Sequence, residues 1–136
     1  MHTIKLDFEG YWRDAHKKGI PAYSGIYLVY RCTYSSGKDK VSLKELIYIG
    51  ESENVHDRIQ NHDRYEDFID QLEPGEMLCF ACANVDHPDR ERAESALIYK
   101  YKPILNDMST EGFNYPPTEI ICSCKHAFIN DEIVVE

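Results

Sequence analysis

Two tyrosines, an arginine, a histidine and a glutamate stand at spacings that could bring chemistry together in this 136-residue chain. Arg58 and His62 are four residues apart, so a helix places both on one face. A guanidinium offers several fixed donors to an anion, and an imidazole is the side chain that titrates nearest neutrality. Glu94 opens a stripe with Leu97, Ile98 and Tyr101, which sets a carboxylate at the edge of a side that should pack inward. Burying it alone is costly, so it calls for a cation, a metal or several donors. Tyr27 and Tyr48 project from separate strand-like runs and share a sheet face if the register allows. Each residue also has a plainer account: packing aromatics, a solvated helix arginine, a satisfied histidine, a carboxylate paired with a surface cation.

The elements that must position these groups follow from pattern. Residues 9–18, EGYWRDAHKK, read as a short helix stopped by Gly19 and Pro21. SGIYLVYRCTY fits a strand, SSGKDK is turn chemistry, and a return strand at 46–50 makes an antiparallel pair. Ser52 or Asn54 can cap a helix through about His62, and residues 65–72 form a second short helical piece. MLCFACANV reads as a strand. A longer helix runs from about Pro88 to Pro103, with Ala93, Leu97 and Tyr101 in line. TEIICSCKHAFI is a late strand candidate. The pattern predicts an α/β (α+β) domain with a small antiparallel sheet flanked by helices.

The length suits one domain over 1–136. The net charge is −9, but the first fifty residues carry eight Lys/Arg against five Asp/Glu, and residues 51–75 and 76–136 are each acidic. A broad basic footprint is absent, so a polyanion must approach through a local patch built from the N-terminal third, its hairpin lysines included, or arrive with a partner. No apolar run reaches the ~20 residues of a membrane span, and the N-terminus lacks a signal peptide's apolar core. Five irregularly spaced cysteines read as reduced thiols, and the cytoplasm is the expected location. Cys79 and Cys82 should face opposite sides of their strand. Cys122, Cys124 and His126 alternate onto one face, a weak zinc pattern that a buried strand explains equally.

With these residues in place, the sequence resembles the GIY-YIG nuclease superfamily. Gly25-Ile26-Tyr27 and Tyr48-Ile49-Gly50 match its two tripeptides; Arg58, His62, Glu94 and Asn106 follow in order. The likeness spans residues 20–107 and leaves 108–136 as a C-terminal strand or extension. It implies a three- to four-stranded antiparallel sheet and a DNA endonuclease that leaves 5′-phosphate and 3′-hydroxyl ends. It also implies one divalent cation, Mg²⁺ with Mn²⁺ able to substitute, bound by Glu94. By that resemblance Tyr27 takes the base role, as phenolate, while Tyr48 orients water or phosphate.

Elementary chemistry is compatible with those roles. Arg58 suits the negative charge that develops on a phosphodiester, and Glu94 suits a hard ion that keeps waters and takes phosphate oxygens. Arg58 or a metal beside a tyrosine lowers its pKa. His62 could instead accept the tyrosine's proton or hold the phosphate. Gly50 serves a strand end or leaves room for phosphate, and Asn106 braces the loop after Pro103. DNA is the expected partner, with a second protein or oligomerisation supplying affinity that the acidic surface lacks. The alternatives are a noncatalytic nucleic-acid- or protein-binding module, and a nuclease acting on RNA.

Overall fold

Residues 3–9 alternate polar and apolar without a break, and in the computed structural model they belong to a long first strand. Ile4, Leu6 and Phe8 are buried while Thr3, Lys5, Asp7 and Glu9 are exposed, the period-two signature of a half-buried strand. The structure describes residues 1–107, 112–124 and 128–136. Strand β1 covers His2–Arg13 and leads into a 3-10 helix at Asp14–Gly19. This corrects the helix expected over 9–18. Trp12 and Arg13 pair with Phe80 and Cys79 across a bulge, so the sheet supplies backbone partners where an isolated short helix is marginal.

The central elements fall close to expectation. Strands β2 (Gly25–Ser35) and β3 (Lys40–Ser52) form a long hairpin, longer on its return side than 46–50. Helix α1 (Val55–Gln60) is capped by Asn54, whose side chain accepts the Asp57 N–H at 3.1 Å. Helix α2 (Tyr65–Asp70), strand β4 (Met77–Asn84) and helix α3 (Asp89–Tyr101) follow. Strand β5 (Thr118–Cys124) matches the start of the late strand, and β6 (Glu132–Val135) pairs with it.

All six strands form one mixed sheet in the order β3-β2-β4-β1-β5-β6, curled into a half-barrel. Strands β1 and β5 run parallel, and every other neighbouring pair is antiparallel. The expected three- to four-stranded antiparallel sheet is therefore wrong, and the architecture is not the compact GIY-YIG fold. The cause is visible in the topology. Half of the strands, β1, β5 and β6, lie outside the 20–107 segment that carried the resemblance.

Two cores sit on opposite faces. On one, α3 contributes Ala93, Ala96, Leu97 and Ile98 against Phe8, Leu28, Tyr30, Ile49 and Ile120. On the other, Val55, Ile59 and Phe68 of the short helices pack on Tyr27, Val29, Ile47 and Phe80. Cys79 joins the first core and Cys82 the second, facing opposite sides as expected. Among the described residues no helix is long and apolar enough to cross a membrane.

Strand β3 is a sheet edge, and residues 105–106 cover part of it. Leu105 N–H donates to the Ile47 carbonyl at 3.1 Å. Asn106 reproduces a strand's pairing with its amide: Oδ1 accepts the Ile49 N–H at 2.9 Å, and Nδ2 donates to the Ile49 carbonyl at 2.8 Å. The side chain thereby satisfies backbone groups that an edge would leave open.

Candidate functional site

The site grows from the β2–β3 register. Tyr27 pairs with Gly50 and Val29 with Tyr48, so the two tyrosines are diagonal neighbours on one face. Their ring centroids are 6.2 Å apart. Gly50 lies inside β3, not at a turn, and its role is spatial. A Cβ there would stand 2.2 Å from Tyr27 Cζ and 2.3 Å from its hydroxyl oxygen. The missing side chain is what lets the Tyr27 ring lie across its partner strand.

Immediately after α1, the chain turns His62 inward against the aromatics. Its ring lies 5.6 Å from both tyrosine rings and 4.8 Å from Phe68, and its side chain is 2% exposed. The Arg64 backbone N–H donates to His62 Nδ1 at 3.0 Å. Nδ1 is thus an acceptor, which puts the proton of the neutral ring on Nε2. That Nε2–H donates to Tyr27 Oη at 2.7 Å. The Asp63 carboxylate is 3.6 Å from Nδ1, too far for a competing hydrogen bond. Burial first, then Arg58, holds His62 down at about 4, so the ring is neutral near pH 7.

Arg58 also donates to the Tyr27 hydroxyl, and its Nη2 reaches Asp63 at 2.8 Å. Two donors therefore converge on one phenol oxygen. Even so, Tyr27 is held above the ordinary tyrosine range: burial raises it most, Tyr48 adds to that, and Arg58 only partly opposes it. The expected lowering is overturned because desolvation outweighs the guanidinium. Tyr48 is also raised, by burial and then by Glu94.

Glu94 approaches from α3. With Tyr48, Arg64, Ile98, Asn106 and Asp107 it lines a cavity of about 90 Å³, room for a few waters. Burial pushes its carboxyl up to about 7; neighbouring Glu51 pushes the same way, while the Glu51 backbone N–H donates to Glu94 and opposes the rise. Glu51 itself is tied to Arg90 Nε at 2.6 Å. Arg90 is only 6% exposed and donates again to Ser24 Oγ at 2.8 Å. The structure thus clusters Tyr27, Arg58 and His62 on one side of Tyr48, while Tyr48 and Asn106 line the cavity with Glu94. Tyr27, Arg58 and His62 do not line that cavity, and Gly50 lies beneath Tyr27.

Sequence reasoning missed Asp63, Arg64, Glu51 and Arg90. Arg64 lies 5.6 Å from the Tyr48 ring centroid and lines the Glu94 cavity. Asp63 and Arg64 carried a signal, since they directly follow His62 in an acidic, turn-like run. Glu51 and Arg90 are 39 positions apart, and nothing local joins them. Among the described residues no group of three or more His, Cys, Asp or Glu side chains is arranged to hold a metal. The zinc pattern rests on His126, outside the described residues, and Cys122 is a buried free thiol.

No family model matches the chain, and no curated protein or solved structure matches it.

Proposed function

We propose that this site hydrolyses phosphodiester bonds of DNA with the help of a divalent cation, Mg²⁺ or Mn²⁺. One observation carries the reading: two donors, His62 Nε2–H and Arg58, meet on the buried Tyr27 hydroxyl, whose neighbour Tyr48 lines the cavity with Glu94. A phenol oxygen so supported is preorganised to become an anion and manage a proton beside a reacting water. Tyr27 keeps its proton in the free protein, so the base step requires added positive charge in the site. Arg58 can turn from Asp63 towards the non-bridging oxygens of a phosphate, being partly exposed. His62 has its proton on Nε2 and acts here as a donor that positions Tyr27, not as the base. Tyr48, between Tyr27 and Glu94, orients water or phosphate through its hydroxyl.

The donor set fits a hard cation. Glu94 is a desolvated carboxylate pushed up by a second carboxylate, a strain that an adjacent cation relieves, and Mg²⁺ needs few protein ligands. Glu94 would hold the ion, which when bound polarises the phosphate, stabilises the leaving oxygen and favours the tyrosine anion. Free buried thiols suit a reducing compartment, and we place the protein in the cytoplasm.

The test is cleavage of duplex, branched and single-stranded DNA with matched RNA controls, in Mg²⁺ or Mn²⁺ and in chelator. Metal-dependent cutting of DNA to 5′-phosphate and 3′-hydroxyl ends, lost in Glu94→Gln, is expected. Binding without cutting on every substrate would reduce the protein to a noncatalytic module. Preferred cutting of RNA would move the substrate class.

A further inference from the structure

A second cavity, about 490 Å³, opens where the end of β1 meets the far end of the β2–β3 hairpin. Three aromatic rings, Tyr11, Trp12 and Tyr34, and three basic side chains, Arg13, His16 and Lys40, line it. Arg13 Cζ lies 3.6 Å from the centroid of the Tyr34 ring. The one carboxylate in the lining, Asp39, accepts the Tyr34 hydroxyl at 2.7 Å. Among the described residues neither Arg13 nor Lys40 forms a salt bridge. Both cations therefore remain available to an anion, in a protein whose net charge is −9.

We propose that this cavity binds a single-stranded polynucleotide, an aromatic base stacking among Tyr11, Trp12 and Tyr34 while Arg13 and Lys40 take its phosphates. Stacking demands an unpaired base with a free face, and interleaved rings and cations are how single strands are held without sequence preference. The volume is that of a small-ligand pocket and admits one nucleotide unit. An arginine supported on an aromatic ring retains in-plane N–H groups for a phosphate. Tyr27 and Tyr34 are seven residues apart on β2, about 23 Å at roughly 3.3 Å per residue. A strand seated here is held well away from the bond at Tyr27, which makes the cavity an anchor for a flanking single strand. The choice of a polynucleotide rests on the hydrolytic reading above, but its test reads binding alone.

Trp12 is the sole tryptophan, so intrinsic fluorescence reports from inside the cavity. The probes are oligo(dT) of about ten nucleotides, a blunt duplex of like length, thymidine monophosphate and inorganic phosphate. Using Glu94→Gln in chelator to prevent cutting, saturable quenching by oligo(dT) is expected, at least about tenfold tighter than by duplex or mononucleotide. Arg13→Gln should weaken it by about tenfold. The exposed Lys40→Gln, which does not threaten the fold, should lower the slope of log affinity against log salt by about 0.7. Equal affinity for the mononucleotide or the duplex would overturn the assignment. So would an unchanged oligo(dT) affinity and salt slope in both variants. If quenching behaves as expected while wild type cuts nothing, the hydrolytic reading fails and the anchor stands. If wild type cuts DNA but no quenching saturates, the anchor alone fails.

Discussion

Tyr27 and Tyr30 stand three residues apart on the same strand, 1% and 0% exposed, and burial holds both above the ordinary tyrosine range. They point into opposite cores. Tyr30 meets aromatics: Tyr11 edge-on at 5.8 Å and Phe128 at 6.1 Å. Tyr27 meets His62, which donates to its oxygen, and Arg58, whose charge pulls against burial. Burial of a tyrosine therefore says little about chemistry. What the Tyr27 face adds is a guanidinium and an imidazole at the phenol oxygen.

The largest expected effect tests the carboxylate that lines the cavity with Tyr48. Glu94→Gln should lower metal-dependent DNA cleavage by at least about a thousandfold while circular dichroism stays native. Wild-type-like cutting by that variant rejects the metal role. Next come the paired tyrosines. Tyr27→Phe should cost about a hundredfold or more in kcat, whereas Tyr30→Phe should change it by less than about threefold and cost about 1 kcal/mol in stability. Equal losses in the two variants would erase the contrast between the faces.

Stability against pH sharpens the same contrast, because two desolvated groups on either side of Tyr48 act in opposite directions. His62 is depressed from 6.5 to about 4, so its contribution is full above 6.5 and lost as pH falls towards 4. Glu94 is raised from 4.5 to about 7, so its contribution is full below 4.5 and lost as pH rises through 7. Each shift corresponds to at most about 3 kcal/mol. Urea unfolding without metal should therefore show a loss on the alkaline side that vanishes in Glu94→Gln. Persistence of that loss in the variant would remove Glu94 as its source. Mg²⁺ should restore part of it in wild type, as a ligand bound only by the folded state must.

Smaller effects concern the scaffold. Gly50→Ala forces the Tyr27 ring aside and should cost about 1–3 kcal/mol together with cleavage. A stable, fully active Gly50→Ala protein would show that the ring has another place to go. Asn106→Ala, which strips the Ile49 backbone of both amide partners, should cost about 1–2 kcal/mol with a modest effect on kcat. Thermal unfolding measures both.

Much of the central chain was legible because its signals are local. The β2–β3 turn chemistry, the Asn54 cap and the apolar line of α3 all lie within a few residues of what they specify. Strand β1 was misread although Ile4, Leu6 and Phe8 alternate, because Tyr11, Trp12 and Ala15 followed by Gly19 and Pro21 imitate a helix and its stop. The competing outcome rested on distant partners: His2 pairs with Thr118, and Trp12 with Phe80. The likeness to GIY-YIG nucleases misled about architecture for the same reason, since it covered only the middle of a sheet whose other half comes from the two ends.

From its residues alone the chain determined which functional groups are present and where turns and caps fall, but not that the helix expected through His62 stops at Gln60 and leaves His62 outside it. The groups, turns and caps follow from side-chain chemistry and short-range periodicity. Only the tertiary structure decided the sheet's six-strand order, the tautomer of His62 and the sign of the shift on Tyr27. Each depends on what surrounds a group after folding, such as the Arg64 N–H at Nδ1 and the removal of water from Tyr27. Hydrogen-bond partners and desolvation are set by packing between distant segments, which no local pattern encodes.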